Sequence, residues 1–413
     1  MQNITYPKVF VLLEPFNDST GMGVTMTNLF KDWPKEKLAI AAYELDEDLC
    51  EKIRPCCSYF SFSHPAKFKD TGIRESHKNK SFSSKLRKIA KYFYSKLGIN
   101  DFRSIPISDE LKKSIIDFQP DILFTALGDL KRIRFAGQII NFYPNSKLAV
   151  YIVDDWPNTK QNGRWFPSLW KKIYDRALKR LLDKTTYFLS ICQTMSDCYR
   201  SQYGKKFVPF HNPVDNDIWN SITPVRHYPK NVFSIVYVGK INRDTKENIL
   251  TLAAVVDSLN KHGKKSVFDV YTPSLHDIDT SKYVGFSILS SISNDQIPVT
   301  LKGYDALYLT LGFSKESREY TRLSMPTKLT EYLASGVPIL LNAPSEIAVT
   351  KYVTQTNTGI ICSENSAEAL EEKLEKLVND SELRDRLKTN ALNLAREHDI
   401  TIVRTKFREA LTL

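Results

Sequence analysis

The 413-residue sequence has no run of about 18 apolar residues, the length that a helix needs to cross a bilayer. Its first apolar stretch, Val9–Leu13, is too short for the core of a signal peptide and predicts a strand. Among the 6 cysteines there is no Cys-x-x-Cys pair, which argues against a zinc site and against a disulfide framework. These absences favour a globular protein of the reducing cytoplasm.

Acidic residues are outnumbered in the first half of the chain. The formal net charge is +11, and residues 1–220 carry 34 Lys and Arg against 24 Asp and Glu. Residues 221–413 carry 24 against 23. Such asymmetry indicates that one half of the chain faces an anionic partner.

Much of the positive charge lies in Ser84–Leu97 and in Arg74, Lys78 and Lys80 before it. The apolar residues of Ser84–Leu97 share one helical face, a pattern typical of a helix on an anionic membrane. A helix packed on its own sheet with a solvated basic face would show the same pattern, and Leu169–Leu182 resembles it. Because no recognised nucleic-acid-binding motif is present, we expect a membrane surface, and no nucleic acid, as the anionic partner.

Strand-like and helix-like segments alternate along the chain, which predicts parallel sheets covered by helices on both faces. The candidate strands are Val9–Leu13, Leu38–Tyr43, Asp121–Ala126, Leu148–Val153, Tyr187–Ile191, Phe207–Phe210, Val232–Gly239, Ser266–Thr272, Asp305–Phe313 and Val337–Asn342. The clearest helices are Ser108–Phe118, Leu169–Leu182 and Lys246–His262, and Ser366–Leu411 is predicted to be helical throughout.

The pattern starts again after a proline-containing stretch, Ser221–Asn231, which we interpret as a linker. The sequence therefore predicts an α/β protein with two doubly wound, Rossmann-like domains, residues 1–220 and 221–395, facing across a cleft. A last helical segment, residues 396–413, is expected to pack back on the first domain. Ligands of such sheets bind at the carboxyl ends of the strands.

One stretch, Ser324–Ile339, combines residues that typically begin and end a helix with charged residues. Ser324 suits an N-cap and Pro326 a first helical turn, within a polar loop predicted for residues 314–325, and Gly336 suits the position after the helix. A helix start presents free N–H groups to an anion, and Lys328 adds a positive charge there. Glu331, one turn on, can accept two hydrogen bonds from a vicinal diol. A nucleotide sugar presents both a phosphate and a diol. The beginning and end of an ordinary helix would by themselves explain the Ser, Pro and Gly.

The spacing Ser324-x-Pro326-x-Lys328-x-x-Glu331 resembles the donor-binding motif of the group 1 glycosyltransferases, which are family 4 retaining enzymes of GT-B fold. Three further stretches resemble the family in order and spacing: the STGMG loop after the first strand, HNPVD at residues 211–215, and YVGKINRDTKENI at residues 237–249. The resemblance covers nearly the whole chain. The chain departs from the family where Leu323 replaces a common glutamate.

The resemblance implies a set of site residues in three groups. The catalytic group is Arg243, Lys246, Lys328 and Asp155. The donor-binding group is Gly23, Gly239, Lys240, Ser324, Met325, Pro326 and Glu331. The acceptor-binding group is Asp154 and Trp156. Lys240 replaces the family's usual arginine, and Lys246 lies one residue later than the usual lysine. A dinucleotide site is the alternative for Gly21-x-Gly23, but Met26 stands where a third glycine is required.

The implied function is transfer of a sugar from a UDP- or GDP-sugar to an acceptor hydroxyl with retention, in polysaccharide, lipopolysaccharide or glycolipid assembly. The resemblance implies front-face attack, in which the leaving phosphate takes the acceptor proton. We expect no metal and no cofactor beyond the nucleotide-sugar co-substrate, and a carbohydrate or lipid-linked acceptor at the inner face of the cell membrane. Two alternatives remain: a sugar-nucleotide epimerase of GT-B fold, since fold does not fix chemistry, and a non-catalytic membrane-docking protein.

Overall fold

The computed structural model describes residues 6–13, 16–17, 20–43, 58–62, 92–159, 163–273 and 278–412. The chain forms two compact units: unit 1 is Met1–Phe210 with Lys406–Leu413, and unit 2 is His211–Thr405. The basic residues Arg74, Lys78 and Lys80 and most of Ser84–Leu97 lie outside the described residues. In the part of the chain that is described, no helix is both long and apolar enough to span a membrane.

Unit 1 contains a seven-stranded sheet in the order β3-β2-β1-β4-β5-β6-β7, in which all pairs are parallel. Its strands are β1 (Val9–Leu12), β2 (Leu38–Tyr43), β3 (Ser58–Phe62), β4 (Ile122–Leu127), β5 (Lys147–Ile152), β6 (Tyr187–Ser190) and β7 (Val208–Pro209). Every residue of β1 and β4 is buried, as expected of strands covered on both faces.

The helices of unit 1 connect these strands. They are α1 (Gly21–Phe30), α2 (Asp109–Phe118), α3 (Leu130–Phe142), α4 (Trp156–Thr159), α5 (Pro167–Leu182) and α6 (Gln193–Tyr203). Single 3-10 turns occupy Lys35–Lys37 and Ile99–Phe102. Three of these helices, α1, α2 and α3, begin at a side-chain cap; at α2 the cap is Ser108, whose Oγ accepts from Leu111 N at 3.2 Å.

The core of unit 1 is aromatic and includes the end of the chain. The ring of Phe30 lies 5.3 Å from that of Phe124 and 5.0 Å from that of Phe407, both nearly edge to face. Phe407 also contacts Trp33 and Phe210. The last residues of the chain therefore complete the hydrophobic core of unit 1.

Unit 2 contains a six-stranded parallel sheet in the order β10-β9-β8-β11-β12-β13. Its strands are β8 (Phe233–Val238), β9 (Ser266–Thr272), β10 (Phe286–Ser290), β11 (Ala306–Thr310), β12 (Ile339–Asn342) and β13 (Gly359–Cys362). Its helices are α7 (Asn216–Ser221), α8 (Arg243–Lys261), α9 (Ile297–Lys302), α10 (Lys315–Thr321), α11 (Leu329–Ser335), α12 (Ala348–Thr356), α13 (Ala367–Asn379) and α14 (Ser381–Glu397), followed by α15 (Ile400–Ala410), which continues into unit 1. Two 3-10 turns occupy Thr280–Lys282 and Asn294–Gln296.

The predicted α/β class is confirmed, since both units are doubly wound parallel sheets with helical connections. Leu38–Tyr43 and Ser266–Thr272 form strands with the predicted bounds. The tail is not one helix, because Asp380 caps α14 by accepting from Leu383 N at 2.8 Å and so ends α13.

The stretch interpreted as a linker is packed on unit 2. Arg226 donates to both carboxylate oxygens of Asp305 at 2.6 and 3.0 Å, and the His227 ring hydrogen-bonds the Thr300 carbonyl at 3.1 Å. The prolines here therefore mark an irregular segment that is held in place by these contacts.

Candidate active site

The sheet of unit 2 reverses its strand order between β8 and β11, which are neighbours although β9 and β10 separate them in sequence. In an open α/β sheet the crevice outside the carboxyl ends of the strands at this reversal is the usual ligand site. The chain after β8 turns there through Gly239, whose φ of 150° favours glycine. Lys328 and Glu331 of the α11 region lie at the same place, as the contacts below show.

Lys328 is fixed against the end of β8. Its Nζ donates to the Val238 carbonyl at 2.7 Å and lies 4.5 Å from the centre of the Tyr237 ring. A Cβ on Gly239 would come within 2.3 Å of that Nζ, so the glycine makes room for the lysine. Burial lowers the pKa of Lys328 to about 8, although the neighbouring Glu331 acts in the opposite direction.

Glu331 is a half-buried carboxylate one helical turn after Lys328. Within the described residues its carboxylate has no hydrogen bond and no ion pair. Burial raises the pKa of Glu331 to about 7, and Lys328 opposes that rise. A desolvated acceptor without a donor is unfavourable in the empty protein and is available to a ligand with two hydroxyl groups.

The segment before α11 differs from the prediction. The helix begins at Leu329 with Lys328 at the N-cap position and no side-chain cap, so Ser324 and Pro326 are not its cap and first turn. Ser324 follows α10 instead, and its Oγ donates to the Tyr320 carbonyl at 3.3 Å. The predicted loop contains α10 because Ser314 caps it, accepting from Ser317 N at 3.2 Å.

This segment is held by the His-Asn pair of the HNPVD stretch. The His211 ring contacts the Pro326 carbonyl at 3.1 Å through Nε2, and the Asn212 amide donates to the Thr327 carbonyl at 3.4 Å. Burial, with His398 nearby, lowers the pKa of His211 to about 3. His211 is therefore neutral, and because a carbonyl can only accept, Nε2 carries the proton. The pair fixes the backbone that leads into Lys328.

Three further cations follow β8. Lys240 and Arg243 are exposed and Lys246 is half-buried, around the start of α8. The first turn of α8 is closed by a capping box, in which Asn242 Oδ1 accepts from Thr245 N and Thr245 Oγ1 accepts from Asn242 N, both at 2.8 Å. The side chains of Arg243 and Lys246 have no hydrogen bond or ion pair with another described residue, so they are available to an anion.

Gly23 belongs to unit 1 and follows β1 at the start of α1. A Cβ at this position would lie 2.1 Å from the Asn17 side chain. Asn17 Oδ1 accepts from Thr20 N at 2.8 Å and from Thr20 Oγ1 at 2.9 Å, and Thr20 in turn caps α1. The glycine thus permits a close contact within the loop.

The acceptor-side residues of unit 1 point largely inward. Asp155 is 1% exposed, and its Oδ1 accepts from Asn158 Nδ2 at 2.7 Å and from Tyr199 Oη at 3.1 Å. Trp156 is also buried and packs on Tyr174 with ring centres 5.7 Å apart. Only Asp154 of the three is partly exposed. The Asp155 side chain is therefore engaged in local hydrogen bonds, which fits the structural role that the sequence left open as an alternative.

The prediction missed two site residues. Tyr237 supports the Lys328 ammonium with its ring and donates from Oη to the Lys240 carbonyl at 2.9 Å, so it orders the turn after β8. His211 was noted only as part of a motif. Neither had a local signal in the sequence, since both act through residues about 90 to 115 positions away in the chain.

Comparisons with known proteins show what the chain is similar to. Residues 287–394 match the family model for glycosyl transferases group 1. The match includes α11 with Lys328 and Glu331. No curated protein matched the sequence.

Three solved structures match almost the whole chain. Anabaena Alr3699/HepE in complex with UDP-glucose is 12% identical, with 98% of this chain and 100% of that chain covered and a TM-score of 0.64. A trehalose-6-phosphate structure from E. coli bound with UDP-2-fluoro glucose is 14% identical, with 98% of both chains covered and a TM-score of 0.62. Trehalose-6-phosphate synthase OtsA is 14% identical, with 98% and 99% covered and a TM-score of 0.63. The predicted fold is confirmed: the chain has the two-domain α/β fold of these structures, the GT-B fold, and its residues 287–394 are similar to the group 1 glycosyl transferases.

Proposed function

We propose that the protein transfers a sugar from a UDP-sugar to an acceptor hydroxyl with retention of configuration at the anomeric carbon. The observation that carries the proposal is Glu331, a half-buried carboxylate that lacks a donor among the described residues and lies beside Lys328 at the reversal of the unit 2 sheet. UDP is preferred to GDP because solved structures with this fold contain UDP-glucose and UDP-2-fluoro glucose.

Glu331 would bind the ribose of the donor. Its two oxygens can accept one hydrogen bond from each hydroxyl of the ribose diol, which would satisfy the carboxylate that burial has desolvated. The contact fixes the nucleotide relative to β8 and so orients the diphosphate.

Lys328, Arg243 and Lys246 would stabilise the leaving diphosphate. The bond between the anomeric carbon and the phosphate oxygen breaks as positive charge grows on the sugar ring, and fixed cations near the phosphates lower the energy of that separation. These side chains take the part that a metal ion plays in other enzymes, so we propose that the reaction proceeds without one. Gly239, Lys240, Ser324, Met325 and Pro326 would shape the donor pocket.

Retention is proposed to follow from attack on the face that the diphosphate leaves. The acceptor oxygen forms the new bond to the anomeric carbon, and its proton passes to an oxygen of the departing phosphate. Asp154 remains the proposed acceptor contact in unit 1, since it is the one acceptor-side residue that is partly exposed. We propose a lipid-linked or carbohydrate acceptor at the cytoplasmic face of the membrane, because the excess positive charge lies in the first half of the chain.

The test is a donor screen in which nucleotide release is measured with UDP-, GDP- and ADP-sugars, with and without a chelator. We expect release from a UDP-sugar, unchanged by the chelator and reduced about 100-fold in Lys328→Ala, since loss of a single fixed donor at developing charge typically costs that much. Lys351→Ala, which changes an exposed lysine of the same unit, is the matched control.

Two outcomes would contradict the proposal. Release of no nucleotide from any donor, with no UDP binding by calorimetry, would favour a non-catalytic protein. Formation of an epimer from UDP-GlcNAc without an acceptor would favour an epimerase of the same fold.

A further inference from the structure

One face of α5 in unit 1, with the residues flanking the helix, is mostly exposed and changes from apolar at the start to cationic at the end. Residues spaced three or four apart along it share one side of the helix. Within α5 they are Leu169, Ile173, Arg176 and Arg180, of which Ile173 is half-buried; Phe166 directly precedes the helix and Lys184 follows it. The first members are apolar and the last are cationic, whereas the opposite face buries Trp170, Tyr174 and Leu178 in unit 1.

The apolar end of this face is unusually exposed. Phe166 is 69% exposed and Leu169 56%; Trp165 is 39% exposed, and Phe102, whose ring packs on Trp170, is 56% exposed. Phe166 has a φ of 58°, a backbone region that bulky residues avoid. Neither the backbone conformation nor contact with water favours a phenylalanine at this position. The stability of unit 1 therefore does not explain why the residue is a phenylalanine.

The cationic end borders a groove between α3 and α5. The groove has a volume of about 410 Å³ and an apolar floor that includes Ile133, Ile173 and Leu181. Its charged lining residues are Arg134, Arg176, Arg180 and Lys184, and none of the lining residues is acidic. Arg176 and Arg180 make no hydrogen bond or ion pair with any residue that the structure describes.

A buried carboxylate joins the two ends into one rigid surface. Asp101 accepts from Arg164 at 2.7 Å and from Tyr174, and its carbonyl accepts from Arg134 at 2.9 Å. Arg134 also lies 5.6 Å from the centre of the Phe102 ring. The exposed aromatic end and the cationic groove are therefore held in a fixed relation before any partner binds.

We propose that this face of α5, with the α3–α5 groove, docks on a membrane leaflet that contains anionic phospholipids. Phe166, Leu169 and Trp165 enter the interface between headgroups and acyl chains, where aromatic side chains are favoured. Arg176, Arg180 and Lys184 bind lipid phosphates, which the groove without acidic residues complements in charge. Nucleic acid would use the cations and leave the apolar end in water, so the combination favours a bilayer.

The proposal is tested by co-sedimentation of the full chain with vesicles of phosphatidylcholine, alone or with phosphatidylglycerol. The wild-type protein is expected to bind the anionic vesicles and to leave the zwitterionic ones. Arg176→Gln/Arg180→Gln should lower the partition coefficient about 30-fold, since each basic residue near an anionic surface contributes about fivefold. Arg386→Gln/Lys388→Gln, which removes the same charge from an exposed part of α14, should leave it unchanged.

A second pair of substitutions tests the apolar end without relying on charge. Phe166→Asn/Leu169→Gln should lower binding about 100-fold, since two large apolar side chains, each contributing about 10-fold, no longer leave water. Asparagine tolerates positive φ, so the unfolding midpoint should stay equal or rise. Ile116→Gln, at an exposed apolar position of α2, is the matched control and should bind like the wild type.

The proposal is overturned if the wild-type protein binds both vesicle types equally or neither. It is equally overturned if Arg386→Gln/Lys388→Gln weakens binding as much as Arg176→Gln/Arg180→Gln does, or if an RNA or DNA oligonucleotide competes the protein off the vesicles at equal phosphate concentration. None of these readouts uses sugar transfer, so they do not depend on the proposed reaction.

Discussion

Replacing Glu331 by glutamine is expected to change nucleotide binding and the stability of the empty protein in opposite directions. The carboxylate is half-buried and has no hydrogen-bond donor among the described residues, and burial raises its pKa from 4.5 to about 7. Because the folded-state pKa lies above the unfolded value, folding takes up a proton between pH 4.5 and 7. The carboxylate therefore destabilises the folded state above pH 7, and this effect disappears below pH 4.5.

The magnitude follows from the pKa difference. A shift from 4.5 to about 7 corresponds to about 3 kcal/mol as an upper bound. Partial exposure reduces this figure, and Lys328 loses its neighbouring negative charge in the variant. We expect Glu331→Gln to increase the free energy of unfolding of the empty protein by about 1–2 kcal/mol at pH 8 and by nothing measurable at pH 4.

Nucleotide binding should change in the other direction. Hydrogen bonds to a charged group contribute about 1.5–3 kcal/mol, and glutamine offers only one oxygen to the ribose diol, so the affinity for UDP should fall about 10- to 100-fold. Calorimetric titration with UDP and denaturant unfolding at pH 4 and 8 measure the two effects. If the variant binds UDP like the wild type, the ribose role of Glu331 is wrong; if the variant is less stable at pH 8, the electrostatic reasoning is wrong.

Three other predictions concern the same site. The value of kcat/KM for the donor should pass through a maximum between about pH 7 and 8, because Glu331 is ionised above about 7 and Lys328 is charged below about 8; a flat pH profile would contradict this. Gly239→Ala should destabilise the protein by about 1–2 kcal/mol and weaken UDP binding, since the new Cβ takes the place of the Lys328 ammonium at a positive φ; thermal unfolding and titration would detect both changes. His211→Ala should raise the KM for the donor without moving the pH profile, because the neutral ring only donates to the Pro326 carbonyl; a profile that moves with this substitution would instead assign His211 a proton-transfer role.

The structural elements that were predicted well are those with strong local sequence patterns. Leu38–Tyr43 and Ser266–Thr272 are apolar runs with clear ends, and both form strands with the predicted bounds. The order of strands and helices was enough to predict doubly wound sheets, since parallel strands need helical crossovers. Lys328 and Glu331 were proposed together because both lie in one short motif.

Features that depend on distant contacts were predicted poorly. Ser324 looked like an N-cap from its neighbours alone, but α10 and the hydrogen bond from His211 to Pro326 shift the start of α11 to Leu329. Asp155 follows a strand, as a site carboxylate would, and only the packing of Tyr199 against it shows that it is buried. Local propensity cannot report such contacts, because they arise from chain segments that are far apart in sequence.

The sequence by itself determined the class of fold, the family resemblance and the charged pair that we assign to the donor. Tertiary structure decided the state of that pair: Lys328 is fixed by the Val238 carbonyl and the Tyr237 ring, and Glu331 is desolvated with no donor among the described residues. Tertiary structure also decided which cations are exposed and that the Asp155 carboxylate is buried. It placed the arginines of α5 beside a groove with an apolar floor. The physical reason is that burial and hydrogen bonding, which set charge states and availability, depend on packing between segments and not on the residues of one segment alone.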